Sequence, residues 1–273
     1  MKNLLILILA LLLFYLGICL LLFLGQKHLI FFPSREIQLK NLPALPEIEE
    51  VYFETADQVQ LHGLFLARPS EQVILFLHGN TGNLAYRPAQ FKVFQDLHLS
   101  ALIFDYRSYG KSAGTIKREE DLEQDARAAY RYLTEERGFP PRNLILWGHS
   151  LGGALALDLA QEKAVAAVIL ESPFLSLPAL AKQKYPFLPV DLLLRFKFRN
   201  DLKIPKVKTK ILVMHSPADE LIPFAQAQAL FALAQEPKTF LTIQGSHNSG
   251  LLNFYDLYSP QIREFLAGQK PAP

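Results

Sequence analysis

Hydrophobic and polar positions divide the chain into an apolar N-terminal run, a proline-containing stretch and a long region of alternating patterns. Residues 4–24 contain no charged side chain. A helix of about 21 residues, at about 1.5 Å each, reaches roughly 32 Å and can cross a hydrocarbon core of about 30 Å. The pattern predicts an uncleaved transmembrane anchor over residues 1–26. The alternative is a cleaved signal peptide, whose apolar region is usually shorter and ends at a small-x-small site.

The two flanks of the predicted anchor carry similar positive charge. Lys2 and the N-terminal amine lie on one side, and Lys27, Arg35 and Lys40 on the other. Because long downstream domains cross a membrane largely regardless of flanking charge, we expect the following domain on the translocated, non-cytoplasmic side. Residues 27–48 contain three prolines and no sustained periodicity, which predicts an extended tether.

From residue 49 onward, short apolar runs alternate with helical patterns. Residues 51–54 and 59–66 resemble a hairpin, and residues 73–77 are apolar throughout, as in a strand covered on both faces. Further predicted strands are residues 101–104, 143–147, 165–170, 211–214 and 239–243, and predicted helices are residues 87–97, 118–137, 154–160, 224–234 and 251–266. This order predicts an α/β fold over residues 49–268, with a mostly parallel twisted sheet of about eight strands and helices on both faces, then a tail over 269–273.

Composition narrows the classes of function. The 273 residues are 50% hydrophobic, enough for one large core. A formal net charge of +2 gives no reason to expect nucleic acid as a partner. The single cysteine excludes an intramolecular disulfide, and the seven histidines are scattered without a metal-binding spacing. We therefore predict neither a metal site nor a cofactor.

The stretch Gly148-His149-Ser150-Leu151-Gly152-Gly153 lies between an apolar strand and a helix rich in Ala and Leu. Strand, sharp turn and helix form the setting that a G-x-S-x-G nucleophile elbow requires, and glycines two residues either side of the serine relieve crowding there. Chance alone would place this motif in about one chain in ten of this length. Ser150 is therefore a candidate nucleophile only if other segments supply a base, an acid and an oxyanion site.

The base and the acid are sought downstream, because this architecture orders its residues as Ser, then Asp or Glu, then His. His247 directly follows the last predicted strand and is the only histidine beyond the candidate acid. Asp219, after the penultimate strand, is the preferred acid. Glu220 beside it and Glu171 at another strand end are alternatives. The alternative is that His247 is a histidine in a surface loop without a catalytic role.

An oxyanion that forms during acyl transfer needs two fixed N–H donors. The backbone N–H of Leu151, directly after the candidate nucleophile, is one candidate. The second is the N–H of Asn80, in the glycine-containing loop 78–83 that follows the strand at 73–77. A glycine-rich turn or a phosphate-binding loop would have a similar sequence, but no G-K-[ST] motif follows this loop.

Taken together, these segments resemble the α/β-hydrolase superfamily. Within it, the chain is similar to a group of small membrane-associated serine hydrolases that includes yeast bud-emergence-suppressor proteins and animal protein depalmitoylases. The motifs that carry the resemblance are His78-Gly79-Asn80 with Gly82-Asn83, Asp105-Tyr106-Arg107, Gly110-Lys111-Ser112, the elbow at 148–153 and residues 219–223. The resemblance implies that Ser150, Asp219 and His247 form a catalytic triad, and that Asn80 and Leu151 donate to the oxyanion.

The chain departs from that group in three places. Ser108 stands where the group often has glycine, and Ser216 replaces a frequent glycine after His215. The animal depalmitoylases use a cysteine-rich, lipidated N-terminus, whereas this chain has a predicted membrane span. The resemblance therefore does not extend to protein depalmitoylation itself.

Residues 174–205 form a longer connection than two neighbouring elements need, which predicts a small cap over the site. This segment combines apolar residues with six basic and two acidic side chains, namely Lys182, Lys184, Arg195, Lys197, Arg199 and Lys203 against Asp191 and Asp201. A basic, apolar cap would lie against anionic lipid headgroups or shape an acyl pocket. A solvated helical insertion is the alternative.

The sequence thus predicts a membrane-anchored serine hydrolase that cleaves acyl esters or thioesters, with a small or lipid-like acyl substrate. Two alternatives stay open. A serine peptidase would use the same residues on the same fold, and a non-catalytic, membrane-anchored binding protein would tolerate the loss of one of them.

Overall fold

A computed structural model of the protein describes residues 1–37 and 48–268. Its strands are β1 (Phe32–Pro33), β2 (Ile48–Glu54), β3 (Gln60–Leu66), β4 (Val73–Leu77), β5 (Thr81–Gly82), β6 (Ser100–Asp105), β7 (Leu144–His149), β8 (Ala167–Glu171), β9 (Ile211–His215) and β10 (Lys238–Thr242). Its α-helices are α1 (Lys2–Ile30), α2 (Pro88–Asp96), α3 (Glu119–Arg131), α4 (Leu151–Glu162), α5 (Leu177–Lys184), α6 (Val190–Leu193), α7 (Asn200–Lys203), α8 (Phe224–Leu233), α9 (Gly250–Asn253) and α10 (Tyr255–Ala267).

Across the described residues, the main sheet has eight strands in the order β10-β9-β8-β7-β4-β6-β3-β2. The pairs β2–β3 and β3–β6 are antiparallel, and the remaining neighbours from β6 to β10 are parallel. All residues of β4, β6, β7, β8 and β9 are buried, as expected for strands covered by helices on both faces. The predicted α/β fold with a mostly parallel sheet is confirmed.

Two hydrophobic cores cover the two faces of the sheet, and alternate residues of each strand feed one or the other. Leu146 of β7 belongs to the core that includes Leu155 of α4. Its neighbour Trp147 belongs to the opposite core, where its ring lies 5.7 Å from that of Phe94 in α2. This double covering fixes the strand register, because a slip by one residue would exchange the two faces.

Several elements differ in extent from the sequence-based expectation. Helix α1 continues to Ile30, four residues beyond the predicted end of the anchor. The predicted tether contains strand β1, which pairs in parallel with β5. The predicted helix at 251–266 is divided into α9 and α10, with Phe254 between them. The rest of the tether at 38–47 and the tail at 269–273 lie outside the described residues.

Helix α1 is the one helix within residues 1–37 and 48–268 that is long and apolar enough to cross a membrane. Length and composition of this kind fit a membrane anchor and also a signal sequence. Most of its side chains are exposed, and Cys19 and Gln26 are buried. The two exceptions mark a face that contacts the rest of the protein.

The cap consists of the short helices α5, α6 and α7, between β8 and β9. Its basic side chains do not all face outward. Lys203 lies 2.9 Å from a carboxylate oxygen of Glu123 and 3.3 Å from one of Asp158, which ties the base of the cap to α3 and α4.

Glu171 is a buried acid at the carboxyl end of β8, next to β7 in the sheet. Its Oε2 accepts a hydrogen bond of 3.1 Å from Nε1 of Trp147. Burial raises the pKa of this carboxyl to about 7, despite the opposing effect of that hydrogen bond.

Replacing Glu171 by Gln is expected to stabilise the protein at pH 8 more than at pH 5. The folded-state pKa of about 7 exceeds the ordinary value of 4.5, so the folded state binds more protons between these values. Wild-type stability therefore falls as the pH rises through 7, by a few kcal/mol at most. Glutamine carries no charge, keeps an oxygen for Trp147 and escapes this loss. Melting temperatures in detergent at the two pH values measure the effect, with the exposed Glu120→Gln as control; an equal gain at both would contradict it.

Candidate active site

Ser150 lies at the sharp turn between β7 and α4, with φ 52° and ψ −115°. This backbone conformation is costly for a residue with a side chain and is maintained only by tight surroundings. A Cβ at Gly152 would lie 1.8 Å from the carbonyl oxygen of Leu77, and one at Gly148 would lie 2.5 Å from the carbonyl oxygen of Gly152. The two glycines therefore let α4 begin directly against the end of β4, which holds the turn in place.

A hydrogen-bonded chain joins Ser150, His247 and Asp219, which come from three separate loops at the carboxyl edge of the sheet. Nε2 of His247 is 3.0 Å from Oγ of Ser150, and Nδ1 of His247 is 2.7 Å from Oδ2 of Asp219. Ser150 is 8% exposed and His247 5% exposed. A hydroxyl, an imidazole and a carboxylate in this order can pass the hydroxyl proton to the ring while the carboxylate stabilises the resulting cation.

Asp219 is held by its own loop so that one oxygen remains for the imidazole. Its Oδ1 accepts the backbone N–H groups of Leu221, at 2.9 Å, and Ile222, at 2.8 Å. Burial alone would raise the pKa of Asp219, but the hydrogen bonds from His247 and from these N–H groups lower it below the ordinary value. The carboxyl is thus an anion at neutral pH.

The two alternative acids take other positions. Oε2 of Glu220 accepts the backbone N–H of His247 at 3.1 Å. The carboxylate of Glu171 bonds to Trp147, and its backbone oxygen accepts the N–H of Ser150 at 2.8 Å. Both residues therefore position the backbone around the site, whereas Asp219 is the acid bonded to the ring of His247.

His149 supports the backbone on both sides of the site. Its Nε2 lies 3.2 Å from the carbonyl oxygen of His247. Burial lowers the pKa of His149 to about 3, so the ring is neutral and Nε2 can donate this hydrogen bond. A Cβ at Gly79 would lie 3.1 Å from Nδ1 of His149. No role for His149 was predicted from the sequence, since a histidine beside a nucleophile has no pattern of its own.

The loop after β4 lies against the nucleophile. Of the two predicted oxyanion donors, Asn80 belongs to this loop and Leu151 is the first residue of α4. A Cβ at Gly79 would be 3.6 Å from Cβ of Ser150, which shows how closely this loop approaches. The backbone oxygen of Asn80 accepts bonds from the N–H of Phe32, at 2.9 Å, and from the hydroxyl of Tyr109, at 2.7 Å.

The post-helix segment, residues 30–36, fastens this loop to the end of α1. Nδ2 of Asn80 donates to the carbonyl oxygen of Ile30 at 2.5 Å, and the N–H of Ser34 donates to the carbonyl oxygen of Gly82 at 2.9 Å. Nδ2 of Asn83 donates to the backbone oxygens of Ser34 and Glu36. This pairing is not predictable from the sequence, where the one signal is the short apolar run before Pro33.

Asp105 also stabilises the loop after β4. Its Oδ1 accepts the backbone N–H of Leu84, the residue directly after that loop, at 2.8 Å. Within residues 1–37 and 48–268, no group of three or more His, Cys, Asp or Glu side chains is placed to hold a metal ion.

Comparison with known proteins gives relatives along most of the chain. The chain is 33% identical to the uncharacterized protein Rv2307c of Mycobacterium tuberculosis over 254 residues, which are 92% of this chain and 90% of that protein. It is 30% identical to the uncharacterized protein YfhR of Escherichia coli over 230 residues, 80% of each chain.

Solved structures with the same fold include two hydrolases. The esterase Pf2001 of Pyrococcus furiosus matches with a TM-score of 0.72 at 18% identity, covering 87% of this chain and 97% of that one. An alpha-beta hydrolase from Vibrio vulnificus matches with a TM-score of 0.70 at 22% identity, covering 85% and 88%. Residues 72–242 match the family described as alpha/beta hydrolase fold. The chain belongs to the alpha/beta hydrolase family.

Proposed function

We propose that this protein is a membrane-anchored serine hydrolase that cleaves acyl esters or thioesters through a covalent acyl-enzyme. The observation that carries the proposal is the hydrogen-bonded chain from Oγ of Ser150 through the ring of His247 to Oδ2 of Asp219. The structural similarity to the esterase Pf2001 and the membership in the hydrolase family support the same class of reaction. The long apolar helix α1 supports the membrane anchor. The location of the domain on the translocated side of the membrane stays a prediction.

In the proposed first step, Oγ of Ser150 attacks the carbonyl carbon of the acyl group while Nε2 of His247 takes the hydroxyl proton. The tetrahedral intermediate carries a negative oxygen, which the N–H groups of Asn80 and Leu151 would stabilise. Its collapse breaks the bond to the alcohol or thiol leaving group, which receives the proton from His247. Asp219 stabilises the imidazolium during this step and keeps its Nδ1 protonated.

In the second step, water attacks the acyl-enzyme. His247 accepts a proton from the water, and the resulting hydroxide oxygen bonds to the acyl carbon. The bond to Oγ of Ser150 then breaks, His247 returns the proton to Oγ, and a carboxylic acid leaves. The apolar helix α1 and the apolar, basic cap support a small or lipid-like acyl group as the substrate.

Replacing Ser150 by Ala is expected to lower the turnover of a p-nitrophenyl ester by at least about 10³-fold, since the acyl-enzyme can no longer form. Covalent labelling by a fluorophosphonate should disappear in the same variant. The control is Ser259→Ala, which alters a serine on α10 that bonds within its own helix. Persistent labelling of the Ser150 variant would remove Ser150 from the mechanism. Labelling without ester turnover in the wild type, but with cleavage of peptides, would favour the peptidase alternative.

Replacing Asp219 by Asn is expected to lower kcat by about 10³- to 10⁴-fold, because an amide neither stabilises the imidazolium nor keeps the correct tautomer. Glu171→Gln is the matched control, an acid-to-amide change at a neighbouring strand end whose carboxylate bonds to Trp147 instead of His247. It should keep turnover close to that of the wild type. Steady-state kinetics on a soluble ester measures both. The reverse ranking of the two variants would assign the acid to Glu171.

Replacing Phe32 by Pro tests whether the post-helix segment positions the loop of Asn80. The change removes the N–H that donates to the backbone oxygen of Asn80 and keeps an extended backbone, which proline tolerates at a strand edge. We expect kcat to fall at least about tenfold with little change in KM, since loss of an oxyanion donor costs about 10²- to 10³-fold elsewhere. Phe32→Ala keeps the N–H and should retain turnover. Equal kinetics of the two variants would contradict this role.

A further inference from the structure

The second half of α1 packs along the cap. The hydroxyl of Tyr15 donates to the backbone oxygen of Phe187 at 2.8 Å. Near the end of the helix, Nε2 of Gln26 donates to the backbone oxygen of Leu193 at 3.1 Å, and its Oε1 accepts the N–H of Arg195 at 2.8 Å. The cap segment from Phe187 to Leu193, which ends in α6, therefore runs in the same direction as α1, from the level of Tyr15 to the level of Gln26.

The contact between Gln26 and the cap suits apolar surroundings, because it leaves the side-chain amide with hydrogen-bond partners. An amide on an apolar helix is costly to bury unless its hydrogen-bonding groups have partners. Gln26 is 4% exposed, and besides the two cap bonds its Nε2 donates to the oxygen of Phe23 in its own helix. The cap thus satisfies a polar group of α1 that water would otherwise have to satisfy.

The part of the cap beside Tyr15 is apolar and largely exposed. We name this part the cap tip: residues 185–189, Tyr-Pro-Phe-Leu-Pro, together with Leu192. Phe187 is 69% exposed and Leu192 is 83% exposed. Exposure of this extent on neighbouring large apolar side chains is uncommon on a surface that faces water alone, and often marks an interaction site.

The position of the cap tip along α1 indicates which part of a bilayer it would contact. Tyr15 precedes Lys27, the first charged residue after the apolar run, by twelve residues, which corresponds to about 18 Å along the helix axis. Half of a hydrocarbon core is about 15 Å thick. When Lys27 lies at the interface, a segment at the level of Tyr15 and next to α1 lies among lipid acyl chains, close to the midplane of the hydrocarbon core.

The charges around the cap tip fit the boundary of a bilayer. Lys182 is neutralised by Asp191, with 2.5 Å between Nζ and Oδ2. Arg195 lies near the interface end of α1, with its guanidinium carbon 5.2 Å from the centre of the Phe23 ring. Long basic side chains of this kind extend toward headgroups while their stems remain in apolar surroundings.

We propose, on the basis of the proposed membrane anchoring, that the cap tip inserts among the phospholipid acyl chains that surround α1. The cap then forms a second membrane contact, and the acyl group to be cleaved is supplied from the bilayer. The proposal commits to phospholipid as the occupant of this surface. Contact of the cap tip with a second copy of the chain, or with water, would contradict the proposal.

The test places an environment-sensitive nitrobenzoxadiazole probe on single cysteines of the full-length chain. Cys19, the one native cysteine, is first changed to Ser. The probe is attached in Phe187→Cys and in the control Leu257→Cys, whose native side chain is 53% exposed on α10. The proteins are reconstituted into vesicles of phosphatidylcholine and phosphatidylglycerol, with or without doxyl-labelled phosphatidylcholine.

We expect the probe at 187 to emit at shorter wavelength, to be quenched by doxyl lipid and to be shielded from iodide. The probe at 257 should show the opposite pattern. Equal iodide quenching at both positions would overturn the proposal in favour of water. Shielding at 187 that vanishes when the protein is diluted in lipid, without doxyl quenching, would overturn it in favour of a second copy.

A second measurement follows the functional consequence. Phe187→Arg should reduce the ratio of turnover on a vesicle-embedded long-chain ester to turnover on water-soluble p-nitrophenyl acetate by at least about fivefold, because a charge at this depth opposes insertion. The control Leu257→Arg should leave that ratio unchanged. An unchanged ratio in Phe187→Arg would contradict the proposal. Fluorophosphonate labelling of Ser150 in all variants reports separately on the proposed hydrolase function, so that its failure is distinguishable from failure of the insertion.

Discussion

The strained turn at Ser150 is the constraint on which the site depends. Its backbone is held in an unfavourable conformation because α4 begins directly against the end of β4, and a side chain at Gly152 would collide with the carbonyl oxygen of Leu77. The same approach brings the first N–H groups of α4 next to the loop that follows β4. The parallel sheet then adds the loops after β9 and β10 at the same edge, with Asp219 and His247.

Sequence alone was sufficient for the parts of the molecule that depend on local pattern. Continuous apolar runs identified the central strands, because strands covered on both faces have no alternating polar side to hide them. The elbow was identified because glycines are needed on both sides of Ser150. Chain order then pointed to Asp219 and His247, and the structure places them within hydrogen-bonding distance of each other and, through the imidazole, of Ser150.

The parts that sequence could not supply depend on contacts between distant segments. The pairing of β1 with β5 joins residues almost fifty positions apart, and a two-residue strand has no periodicity of its own. The bond between Gln26 and the cap joins residues separated by 167 positions. His149 is buried and bonds to the backbone of His247, and no local sequence pattern predicts either property. Such contacts follow from the tertiary fold and not from local preference.

The post-helix segment has one more consequence. Between the end of α1 at Ile30 and its first bond to the loop of Asn80 there is no spacer, since the bond is made by Ile30 itself. With α1 as the proposed membrane anchor, the reacting centre would therefore be held at a fixed height above the bilayer and could not sample the surrounding volume. Its encounters with substrate are then two-dimensional, and the rate would follow the mole fraction of acyl groups in its own membrane instead of their concentration in solution.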